Sequence, residues 1–121
     1  MPSPWTRETA AGGIEAALAM IAGRWKLRIL FQLFGGRVCR FSELERAISG
    51  VSQKVLSQQL RQLEQDGVVQ RVSYPETPPR VEYSLTPWGQ ALCPALDALL
   101  RWSSDRVGAA AAEGAGEAHP R

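Results

Sequence analysis

The chain has 121 residues, 45% of them hydrophobic and 21% charged, with a formal net charge of +2. That size fits one domain with tails and an ordinary core. Two cysteines without a CxxC pair and a single histidine, His119, supply no ligand set for a metal and no disulfide framework.

No cofactor is expected. No apolar run approaches the ~20 residues that span a bilayer. The N-terminus lacks the basic-then-apolar pattern of an export signal. A cytoplasmic protein with reduced thiols is therefore expected. The charge is unevenly placed. Between Arg24 and Glu82 ten basic residues stand against six acidic ones, an excess of four where the whole chain has two. Phosphate binding needs a local excess of this kind more than a high total.

Residues 1–13, with Pro2, Pro4, Gly12 and Gly13, read as a flexible arm. Ile14, Leu18 and Ile21 recur at i, i+4 and i+7, which predicts a first helix over Ile14–Ala22. Its remaining positions are mostly alanine, a strong helix former with a slim side chain suited to close packing. Trp25, Ile29, Leu30, Leu33 and Phe34 give a second helix a broad apolar face, ended by Gly35-Gly36. A strand of one or two residues is expected in Arg37–Phe41. Ser42 to Glu45 reads Ser-x-x-Glu, a capping box opening a short third helix with Phe41, Leu44 and Ile48 inward.

The stretch SQKVLSQQLRQLEQD, Ser52 to Asp66, carries the most information. Ser52 is a good N-cap, because its hydroxyl accepts from a free first-turn amide. Gly67 is a good stop. Leu56, Leu60 and Leu63 share one helical face. Lys54, Gln58, Arg61, Gln62 and Gln65 fall opposite, and Glu64 is expected off that face. Glutamine pairs bidentately with adenine and arginine with guanine, so this face suits base edges. A short helix, a tight turn with Gly50 and a longer polar-faced helix make a helix-turn-helix.

Two alternating runs follow, Val68–Tyr74 and Val81–Leu85, joined by the proline-rich loop Pro75–Arg80. They read as a hairpin with an extended tip, the wing of a winged helix. Arg80, near the loop end, is placed to reach a minor groove or phosphates; its alternative role is an ion pair with Glu76 or Glu82. Thr86-Pro87 starts a last helix. Leu92, Leu96 and Leu99 line it, with Leu100 and Trp102 adding apolar area. Pro94 cannot donate to the Gln90 carbonyl, so a kink or break is expected there. The folded domain is expected over residues 14–107, followed by a low-complexity tail, 108–121, whose alanines are able to prolong the helix.

The segments IAGRWKLRIL (21–30), RFSELERAISGVSQKVLSQQLRQLEQDGVVQR (40–71) and YPETPPRVEYSLTPWGQAL (74–92) resemble the HxlR family of winged helix-turn-helix transcriptional regulators. The resemblance implies a mainly α fold with a small β-hairpin and dimerisation helices at both ends. It further implies a DNA-binding homodimer that controls transcription, most often as a repressor. Many family members, thiol sensors above all, carry a cysteine just before the first helix. Here that region reads Gly12-Gly13-Ile14-Glu15, so a redox switch is not carried over.

The expected DNA-binding residues are Arg40, Ser42, Ser52, Gln53, Lys54, Ser57, Gln58, Arg61 and Arg80. Those expected at the dimer seam are Ile14, Leu18, Ile21, Leu92, Leu96, Leu99 and Trp102. The partners expected are a pseudo-palindromic duplex operator, a second copy of the chain and an unspecified small effector. A winged-helix protein-interaction module without DNA binding is the alternative. The sequence offers no nucleophile–base pair and no glycine-rich phosphate loop, so an enzyme is not expected.

Overall fold

The computed structural model describes residues 4–113, with side chains through Arg106. The expected arm's first three residues and the tail beyond Glu113 lie outside the described residues. In chain order the elements are α1 (Arg7–Ile21), α2 (Lys26–Leu33), β1 (Cys39–Arg40), α3 (Phe41–Ala47), α4 (Gln53–Gln65), β2 (Val69–Tyr74), β3 (Arg80–Leu85), α5 (Pro87–Gln90) and α6 (Leu92–Glu113). They form two compact units that meet in sequence between Gln90 and Ala91.

The first helix begins at Arg7, inside the segment expected to be an arm. Thr6 and Thr9 explain the early start. The Thr9 amide donates to Thr6 Oγ1 at 3.1 Å, and the Thr6 amide donates to Thr9 Oγ1 at 2.9 Å. This reciprocal cap satisfies two amides that a frayed end would leave bare.

The core of the first unit is built by α2, α3, α4 and the sheet. Ile29, Leu30, Leu33, Leu56 and Leu63 are fully buried, and Leu44, Leu60 and Val69 nearly so. The predicted inward faces of α2, α3 and α4 are the ones that pack. Full burial of one such side chain contributes about 1.5–3 kcal/mol, so this cluster fixes how α4 sits on α2.

The sheet is antiparallel, with strand order β1-β3-β2. In the hairpin Val69 pairs with Leu85, Arg71 with Tyr83 and Tyr74 with Arg80. β1 adds its two residues to the other edge of β3, Cys39 opposite Tyr83 and Arg40 opposite Glu82. Of the β2 residues only Val69 is buried, because the hairpin soon projects past the helices.

Two local details differ from the sequence reading, the α3 cap and the end of the last helix. The α3 cap lies two residues earlier than the Ser42–Glu45 box: the Arg40 amide donates to Glu43 Oε1 at 2.7 Å. β1 runs straight into the helix with Arg40 extended, so Arg40 is the cap and Ser42 lies inside the first turn. The last helix is divided at Ala91, the break expected from Pro94. α5 ends at Gln90 and α6 restarts at Leu92, with Pro94 in its first turn. A proline is tolerated there because first-turn amides have no partner within the helix. The backbone of α6 is helical to Glu113, beyond the expected end at Val107.

Candidate nucleic-acid interface

Ser52 opens α4. Its hydroxyl accepts from the Val55 amide at 3.1 Å. Gly67 closes it with φ +78°, the left-handed conformation that glycine adopts without strain. The Gly67 amide then donates to the Glu64 carbonyl and the Val68 amide to the Leu63 carbonyl, at 3.0 and 2.9 Å. Leu63 and Val68 are both buried, so the closing turn is also packed. Both ends are fixed, and the leucine stripe locks the rotation of the helix about its axis.

That rotation leaves Gln53, Lys54, Gln58 and Arg61 exposed and Ser57 half-buried. Among the described residues, neither Lys54 nor Arg61 has a carboxylate within ion-pair distance. The expected amide-rich, cationic face is therefore present. Ser52 is exposed at its N-terminal end, and Arg40 and Ser42 are exposed on the neighbouring α3 start.

One expectation about this face is corrected. Ser57, Arg61 and Glu64 follow at i, i+4 and i+7, so they form one stripe. They line a groove of about 360 Å³ together with Arg71 and Tyr83 from the hairpin. Glu64 thus shares the edge of the polar face. Arg71 was not among the expected site residues. The available signal was its spacing: two positions beyond buried Val69, it lies on the side of the strand that turns toward α4.

Arg80 is occupied. Its Nη2 lies 3.0 Å from Glu76 Oε2 and its Nη1 3.1 Å from Glu82 Oε2. Its guanidinium carbon sits 4.1 Å from the centre of the Tyr74 ring. Of the two roles the sequence leaves open, the ion pair is realised, with both acids at once. Three charges at the wing tip sum to one negative.

The residues expected at a dimer seam divide by exposure. Ile14 is 61% exposed, Leu18 49%, Leu99 50% and Trp102 73%, whereas Ile21 and Leu96 are buried within the chain. Leu92 is half-buried. Cys39 is buried, Cys93 half-buried, and neither is in a disulfide. Burial pushes the Cys39 thiol up, with Arg37 pulling the other way. Among the described residues no cluster of three potential metal ligands exists, and no helix is long and apolar enough to cross a membrane.

A hairpin set directly after a helix-turn-helix, with the second helix turning amides and cations outward, defines a winged helix-turn-helix protein. The family model of HxlR-like helix-turn-helix proteins matches residues 20–110, and the chain belongs to that family. It is 45% identical over 94 residues to the HTH-type transcriptional regulator YtcD of Bacillus subtilis (strain 168), covering 78% of this chain and 74% of YtcD. Its fold is similar to the crystal structure of a MarR-family transcriptional regulator from Enterococcus faecalis V583. There the TM-score is 0.81 at 43% identity, with 91% of this chain and 96% of the other covered. It is also similar to the redox regulator HypR in its reduced form, with TM-score 0.71, 38% identity, and 77% and 91% coverage.

Proposed function

We propose that the chain is a sequence-specific, duplex-DNA-binding transcriptional regulator, acting in the cytoplasm as a homodimer and as a repressor. The observation that carries this reading is the outer face of α4. It presents Gln53, Lys54, Ser57, Gln58 and Arg61, pinned from behind by three buried leucines. A helix with side chains is about 10–12 Å across, the width of the B-DNA major groove. Residues in the N-terminal half of such a helix enter deepest. Gln53, Lys54 and Gln58 are therefore the base-reading candidates. Ser52, Arg40 and Ser42 stand at the rim, where phosphates pass.

Exposed Ile14 and Leu18 on α1, and exposed Leu99 and Trp102 on α6, support dimerisation. Water-facing apolar side chains in this number mark surfaces that a partner covers. A twofold dimer addresses half-sites about 34–36 Å apart, or a multiple.

Selection of bound duplexes from a random pool tests the reading. The expected result is a pseudo-palindrome with that spacing. Absence of any affinity for random duplex at low salt, where every DNA binder shows some, removes it.

A further inference from the structure

The groove between α4 and the wing is a second feature of the DNA-facing side, and its two arginines differ in state from the wing-tip arginine. Arg80 is held by two carboxylates and a tyrosine ring. Arg71 is exposed, and among the described residues it has no ion-pair partner; the same is true of Arg61. Both line the groove with Ser57, Tyr83 and Glu64. Two guanidiniums against one carboxylate leave the groove one positive charge.

Its place follows from the docking geometry. A helix about as wide as the major groove brings the sugar–phosphate walls against both its flanks. The groove lies along one such flank. Arg61 is eight residues beyond Gln53, about 12 Å along the helix at 1.5 Å per residue. It therefore stands beside the wall of the major groove, past the deepest part of the helix. Arg71 projects from β2 on the opposite bank. Its strand is fixed by pairing with Tyr83, which is buried, so its root is rigid.

Resting on the DNA-binding reading above, we propose that this groove seats one DNA backbone phosphate between Arg61 and Arg71. Arg71, and not Arg80, is then the wing cation that contacts DNA. Arg61 positions the helix and carries no base preference. The Ser57 hydroxyl is a further donor on the same bank.

The test is a salt titration of the full chain, its Arg71→Gln, Arg61→Gln and Arg80→Gln variants, on the selected duplex and on random duplex. Each phosphate contact contributes about 0.9 to the slope of log affinity against log salt. Arg71→Gln and Arg61→Gln share one phosphate, so each is expected to lower the slope by about half of that and the double variant by about 0.9, with both duplexes weakened by the same factor. Between about 50 and about 200 mM salt the double variant then loses roughly 3–4-fold less affinity than the parent chain does, and each single variant about 2-fold less. Arg80→Gln leaves the slope unchanged. Arg71→Lys retains it, since the charge stays, and this variant reads out the charge without altering the fold.

An unchanged slope in Arg71→Gln overturns the proposal, as does a larger loss in Arg80→Gln. A changed base preference in Arg61→Gln overturns the assignment of Arg61. A parent chain that binds no duplex ends the DNA-binding reading itself, which separates that failure from failure of the phosphate seat.

Discussion

Gly89 shows how one residue fixes the approach of two elements. Thr86 Oγ1 donates to the Gly67 carbonyl at 2.6 Å and in turn accepts from the Gly89 amide at 3.0 Å. The start of α5 is thereby drawn onto the turn that closes α4. A Cβ at Gly89 would be driven into the Val68 carbonyl oxygen, a backbone atom that cannot turn aside. Gly89→Ala is expected to cost about 1–3 kcal/mol, the range for overpacking, read as a lower urea midpoint at unchanged m-value.

Cys39 gives a pH-dependent counterpart. Its folded-state thiol ionises above the ordinary value of 9.0 because burial disfavours the thiolate. The contribution is full below the unfolded pKa and is lost as pH rises toward the folded one. The urea midpoint should therefore fall more steeply above about pH 9 in the parent chain than in Cys39→Ala. Parallel profiles for the two would show that the thiol is not the group responsible.

At the scale of elements, α4 was the most legible from sequence. Ser52, the leucine spacing and Gly67 are local signals, and each acts within a few residues of itself. The same holds for Thr86-Pro87 and for the break imposed by Pro94. What the sequence concealed depends on strand register and on where layers end. Arg71 looks like any strand cation until pairing with Tyr83 turns it toward α4. The α1 start was hidden because Thr6-x-x-Thr9 lacks the Glu or Gln that usually marks a capping box.

The caps yield an element-scale prediction. Ser52→Ala removes the acceptor for the Val55 amide and should cost about 0.5–2 kcal/mol. Because that turn carries Gln53 and Lys54, DNA affinity should fall with it. A stability loss with unchanged affinity would show that the first turn of α4 lies off the duplex.

For the whole molecule, the feature that matters is the uncovered apolar face of α1. Its exposed Ile14 and Leu18 lie at i, i+4 on one stripe, and among the described residues nothing stands within 4 Å of a Cβ at Gly12 or Gly13. The helix therefore offers a slim apolar face with room for a close neighbour. Burying one leucine contributes about 1.5–3 kcal/mol, and a twofold seam buries it twice, so Leu18 would supply roughly 3–6 kcal/mol of dimer stability. Leu18→Asp removes that and places two carboxylates in the seam. Sedimentation velocity should then show a monomer, against the dimer expected of the parent chain. Affinity for a two-half-site operator should collapse, while binding to random duplex, which each α4 face supports alone, should fall far less. A Leu18→Asp protein that stays dimeric and keeps its operator affinity would move the seam off α1, and the spacing of half-sites would need another source.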